Sequence, residues 1–152
     1  MDGAKPAATA RRVRQVCVVV RDVQRAMEHY WSSLGMGPWR IYNFEPPALT
    51  EPTLRGKQQP YSMRLAVMEV GDPDHSVMWE LVQPLEGPSI YKEFLAEHGE
   101  GLHHVWIMTD DFDETAAEFE KQGMGILMSG NYLGSTYAYL DTRKHLSMLA
   151  EI

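Results

Sequence analysis

The chain carries a single cysteine, Cys17. One cysteine excludes an intrachain disulfide and fits a reducing, cytoplasmic setting. No apolar run approaches the ~18 residues a membrane-spanning helix needs, so no membrane partner is expected. Met1 to Arg12 is Ala-rich and polar, without the apolar stretch of a signal peptide, and reads as a flexible tail. Basic charge is also scarce. Lys and Arg number 14 against 21 Asp and Glu, and the net charge of −7 argues against coating nucleic acid. No glycine-rich phosphate loop, CxxC, HExxH or GxSxG occurs, which removes nucleotide hydrolases, zinc proteases of the common type and serine hydrolases.

What is present is one unit written twice. Gln15-Val16-Cys17-Val18-Val19-Val20-Arg21-Asp22 has its counterpart in His104-Val105-Trp106-Ile107-Met108-Thr109-Asp110-Asp111, 89 positions later. Each apolar run has strand length and stops at an Asp. Each Asp opens an amphipathic helix, and each helix ends near a Gly-Met, Gly35-Met36 and Gly123-Met124. Asp111 with Glu114 has the spacing of a capping box. Met63 to Val70 and Ser76 to Gln83 read as a hairpin across Gly71-Asp72-Pro73-Asp74. Gly125 to Ser129, Ser135 to Leu140 and Leu146 to Ile152 read as the later strands. The Pro-rich stretch from Phe44 to Tyr61 reads as a long irregular loop, a mobile lid at the mouth of a site.

The order is β-α-β-β-β, a short helical linker, then β-α-β-β-β. The expected fold is α+β: two paired βαβββ modules, residues 13–86 and 101–152, joined by a linker at 87–100 after the tail at 1–12. The modules pair into one curved, cup-shaped mixed sheet with flanking helices. A duplicated unit puts equivalent side chains at equivalent places about a pseudo-twofold axis.

Strand alternation then selects a face. Gln15 and Cys17 share one; so do His104 and Trp106, Met78 and Glu80, and Leu149 and Glu151. His103 is expected to point the other way and to be structural, and Cys17 to be a small buried hydrophobe. Glu80 and Glu151 are each flanked by apolar residues, and a carboxylate in such a run is costly to bury unless paired or bound to metal. Each copy thus offers one ligand from its first strand and one carboxylate from its last: Gln15 with Glu80, His104 with Glu151.

Over about residues 13 to 152 the chain resembles the vicinal oxygen chelate superfamily of glyoxalase I, methylmalonyl-CoA epimerase, extradiol dioxygenases and bleomycin-resistance proteins. Val16 to Val23 is similar to the family's opening strand. Glu80-Leu81-Val82-Gln83-Pro84-Leu85 and Gly101-Leu102-His103-His104 resemble methylmalonyl-CoA epimerases most, and Leu149-Ala150-Glu151-Ile152 resembles the terminal ligand strand. The resemblance puts the four metal-ligand positions on Gln15, Glu80, His104 and Glu151. Epimerases usually have His where this chain has Gln15. The set Gln, Glu, His, Glu resembles animal-type glyoxalase I instead, and it lacks the first His of the dioxygenase triad.

These residues imply a divalent ion such as Zn, Co, Ni or Mn. They also imply an isomerase, epimerase or lyase that abstracts a proton α to a carbonyl or thioester through a metal-stabilised enolate. Glu151 is the first candidate base and Glu80 the second. The expected partner is a small-molecule substrate, a CoA thioester or a thiol conjugate, and the expected assembly a homodimer. Arg11, Arg12, Arg14, Arg21 and Arg25 form a basic cluster that reads as a solvated face, or else as a dock for CoA phosphate. The alternative function is a metal-free drug- or aromatic-binding resistance protein; an extradiol-type dioxygenase is disfavoured by Gln15.

Overall fold

The computed structural model describes residues 10–152. Its elements are β1 (Arg12–Val19), α1 (Val23–Leu34), β2 (Arg40–Phe44), β3 (Leu49–Leu54), β4 (Lys57–Gln58), β5 (Met63–Val70) and β6 (Val77–Pro84). They continue with α2 (Ile90–Glu97), β7 (Gly101–Met108), α3 (Phe112–Lys121), β8 (Ile126–Tyr132), β9 (Ser135–Leu140), α4 (Arg143–Leu146) and β10 (Leu149–Glu151). Both repeated aspartates cap helices. Asp22 accepts the N–H of Arg25 at 3.0 Å and Asp111 that of Glu114 at 2.7 Å. The expected tail falls mostly on residues outside those described. Its last two residues are tied to the sheet: Arg12 begins β1, and Arg11 donates to Asp110.

All ten strands form one mixed sheet in the order β2-β5-β6-β1-β7-β10-β9-β8-β3-β4. The arms β2-β5-β6-β1 and β8-β9-β10-β7 mirror each other across the antiparallel β1–β7 seam. Within each arm the strand at the seam pairs in parallel with the last strand of its own copy, β1 with β6 and β7 with β10. The duplication is therefore real in space. Helices cover the outer face. Val23, Ala26 and Tyr30 of α1 pack on Val18, Ala66 and Leu81, and Phe112, Ala116 and Phe119 of α3 pack on Ala138, Leu140 and Ile152. The inner face has its own core, where Ile90, Tyr91 and Leu95 of α2 meet Cys17, Val19, Val82 and Leu149.

Two expectations are corrected. The stretch from Phe44 to Tyr61 is not an irregular loop: β3 and β4 lie within it, and β3 crosses to pair with β8 of the other arm. Pro52 is tolerated because it falls where the β3–β8 register shifts, between Thr50 and Thr53, so its missing N–H interrupts no regular ladder there. His103 does not face away from His104. The β1–β7 register passes from Cys17 opposite His104 to Val18 opposite Leu102, which leaves His103 as the extra residue of a bulge. Its ring packs on Tyr91 and Phe94 of α2, the inner side.

Candidate active site

Two rows of residues cross the sheet at the seam. In one, Glu80 of β6, Cys17 of β1 and His104 of β7 are direct neighbours, with Leu149 beyond. In the next row up, Met78, Gln15, Trp106 and Glu151 are neighbours in the same way. Side chains directly opposite one another share a face, so these two rows put all four expected residues on the inner side. Each arm supplies two.

The polar atoms converge. Gln15 Nε2 lies 2.7 Å from Glu80 Oε2, 3.4 Å from His104 Nε2 and 3.4 Å from Glu151 Oε2. His104 Nε2 is 3.0 Å from Glu151 Oε2 and 3.7 Å from Glu80 Oε2. All four residues are buried, and the cluster forms within one chain. Cys17, expected only as a small hydrophobe, sits between Glu80 and His104, with its Sγ within 4.8 Å of a ligand atom of each. Strand parity with Gln15 was the signal that placed it there.

Electrostatically the cluster is short of positive charge. Burial drives the Glu80 carboxyl well above the usual carboxylate range, the Glu151 charge pushes it further, and the Cys17 thiol bonded to it pulls it back. Burial likewise raises Glu151, against a hydrogen bond from Tyr139. Burial also holds His104 neutral, down to about 3. Among the described residues no Lys or Arg pairs with either carboxylate; the basic side chain beside both is His104, at 3.0 and 3.7 Å, and it is uncharged.

A divalent ion would answer that deficit, and the donor set fits one. Ligands at ~2.0–2.1 Å from a common ion stand about 3 Å apart when adjacent, and the separations of Gln15 and His104 from each other and from the two carboxylates run from 2.7 to 3.7 Å. Turning the Gln15 amide over would present Oε1 in place of Nε2, an assignment that hydrogen bonding decides. Amide oxygen, imidazole nitrogen and two carboxylates suit a hard-to-borderline cation.

Above the cluster opens a cavity of about 310 Å³ with aromatic walls, among them Tyr42, Trp106, Tyr132 and Tyr137. Tyrosines at alternate positions of β9 were missed as site residues, although their period of two was readable. Tyr139 bonds Glu151 and accepts from Tyr91 at 2.5 Å, while Tyr137 pairs with Tyr61 at 2.7 Å. Phe44 of β2 stacks on Tyr132 of β8, centroids 3.6 Å apart and planes at 9°, so the two arms meet across the cavity. The basic cluster does not act as one patch. Arg11 pairs with Asp110, Arg14 with Glu69, Arg12 donates to the Ser76 carbonyl and Arg21 to the Leu95 carbonyl.

Two βαβββ units closing one sheet around a cup floored by amide, imidazole and two carboxylates define the class, a duplicated α+β fold with a candidate metal centre at its seam. A family model described as the Glyoxalase/Bleomycin resistance protein/Dioxygenase superfamily matches residues 14–139, and the chain belongs to that superfamily. Among solved structures it is similar to a methylmalonyl-CoA epimerase in complex with methylmalonyl-CoA and NH4+, with TM-score 0.64 and 19% identity over 94% of this chain and 93% of that one. It is also similar to methylmalonyl-CoA epimerase from Mycobacterium tuberculosis, with TM-score 0.60 and 20% identity over 97% and 89% of the two chains. A hypothetical protein from Bacillus halodurans C-125 aligns with TM-score 0.59 and 20% identity over 92% and 91%. At these identities the likeness is one of fold. No curated protein matches the chain in sequence.

Proposed function

We propose that this chain is a divalent-metal-dependent isomerase or epimerase, or a lyase of glyoxalase type, that moves a proton α to a carbonyl or thioester. The observation that carries the proposal is the convergence of Gln15, Glu80, His104 and Glu151, with two buried carboxylates and, among the described residues, no cationic side chain to offset them. Those four residues would hold the ion, of the Zn, Co, Ni or Mn type. When bound, it supplies Lewis-acid stabilisation of an enolate oxygen.

The chain's own residues do the rest. Glu151 is the base: its side chain is the more open of the two carboxylates, 11% against 6%, and both line the cavity. It takes the α-proton and returns it, with Glu80 as the second carboxylate. The aromatic walls hold the acyl head and exclude water. A cavity of about 310 Å³ admits such a head group and leaves a longer arm outside.

Two substrate types are supported. The epimerase-like fold neighbours favour a 2-substituted acyl-CoA thioester; the Gln, Glu, His, Glu set favours a thiol-derived hemithioacetal. The test is exchange of the substrate α-hydrogen with solvent deuterium after Zn, Co, Ni or Mn is restored. Exchange is expected with one of the two, and Glu151→Gln is expected to slow it ~10²-fold or more.

The aromatic walls support a second reading, a module that binds a small aromatic compound without metal. No exchange under any of the four metals, together with equal binding of an aromatic ligand before and after metal removal, would replace the enzyme with the binder.

A further inference from the structure

A neutral imidazole binds a cation through one nitrogen only when its proton sits on the other. His103 and His104 are buried side by side, their ring centroids 5.2 Å apart. Their Nδ1 atoms lie 2.9 Å apart; one therefore donates and the other accepts. If His103 donates, the His104 proton sits on Nε2, the atom turned to Gln15, Glu80 and Glu151. If His104 donates, its Nε2 lone pair faces the cup. Gln15 breaks this symmetry. Its Nε2 donates to Glu80 Oε2 at 2.7 Å and lies 3.4 Å from His104 Nε2, and an amide nitrogen only donates. His104 Nε2 is therefore the acceptor, the His104 proton sits on Nδ1, and His103 Nδ1 accepts it.

We propose that His103 is a positioning residue: its Nδ1 accepts the Nδ1–H of His104 and so holds the Nε2 lone pair of His104 toward the oxygen donors of the cup. The bulge in β7 is what makes this contact, since in a regular strand residues 103 and 104 would point to opposite faces. The 3.0 Å approach of Glu151 Oε2 to that nitrogen agrees with a carboxyl O–H donating to it. The inference gives His104 its ligand tautomer and in that respect rests on the metal reading above.

Side-chain 1H–15N correlation spectra of labelled protein read the tautomer directly, with and without zinc. Wild type is expected to carry the His104 proton on Nδ1 in both states. His103→Phe keeps a ring to pack on Tyr91 and Phe94 but has no acceptor. It is expected to move the proton to Nε2 in the metal-free protein and to weaken zinc binding ~10–100-fold. His103→Gln, which restores a side-chain acceptor, is expected to recover most of that loss. A wild-type proton on Nε2 without metal overturns the proposal, as does a His103→Phe protein that keeps the wild-type tautomer or the wild-type zinc affinity. The metal-free spectra do not depend on catalysis. If wild type takes up no zinc yet shows the stated tautomer, the metal-dependent function fails and the His103–His104 arrangement stands.

Discussion

Glu80 and Glu151 give the metal-free protein an unusual response to pH, and its sign follows from which way each buried group is shifted. A carboxyl held above its ordinary value of 4.5 contributes stability that is present below that value and lost as pH rises through the raised one. His103 and His104, depressed from 6.5, contribute stability present above 6.5 and lost as pH falls toward their folded values of about 2 and about 3. Between 4.5 and 6.5 the two pairs oppose each other. Above 6.5 only the carboxyls act, at up to ~1.4 kcal/mol per pH unit for each group. Thermal unfolding of the metal-free protein is therefore expected to show a plateau at mildly acid pH and a falling Tm from pH 6.5 upward. A Tm that climbs over that interval would mean the carboxyls ionise readily in the fold. Zinc should reverse the trend, because its ligands bind deprotonated. At the same site Gln15→His is expected to keep or tighten zinc binding, since imidazole suits that ion, whereas His104→Ala should lose it; titration with a competing chelator measures both.

At the scale of the element, legibility followed regularity. Gln15, Glu80, His104 and Glu151 stand on uninterrupted alternation, and counting by twos put them on one face, where they are found. His103 broke the count because a bulge leaves no mark in the local pattern; it is decided by how β7 registers against a strand 89 positions away. Residues 45–61 were unreadable for a similar reason. Their prolines and Gly56 are turn signals locally, and what makes β3 a strand is β8, which the segment meets only in the folded chain. Amide exchange can separate the two descriptions. The N–H of Arg55, bonded to the Leu127 carbonyl at 2.7 Å, and that of Leu133, bonded to the Ala48 carbonyl at 3.1 Å, should be protected well beyond a free loop. Exchange at loop rates with or without ligand would restore the mobile lid. The segment returns to the sheet at Pro60, where Gly87 sits at φ +71 and an added Cβ would lie 2.1 Å from the Pro60 carbonyl oxygen. Gly87→Ala is therefore expected to cost about 2 kcal/mol or more, read as a lower denaturant midpoint with an unchanged slope.

The whole molecule ties its site to its stability. The two arms meet at the β1–β7 seam, again where β3 leaves the first arm to pair with β8 of the second, and a third time where Phe44 stacks on Tyr132. Three joints of this kind make independent folding of the copies unfavourable: a fragment ending before β7 would leave β1 and β3 with unpaired edges and bury too little to hold them. Fragments 1–86 and 87–152 are expected to be unfolded when made separately, and the intact chain to unfold in one transition. The four candidate ligands come two from each arm, so under the proposed function a bound ion spans the seam and stabilises the single folded unit. At a free zinc concentration 100 times its Kd the gain would be about 2.7 kcal/mol. Calorimetry should then show one endotherm that moves upward as a whole. A transition that splits, with only one part responding to zinc, would place the ion within one arm and remove His104 and Glu151, or Gln15 and Glu80, from the site.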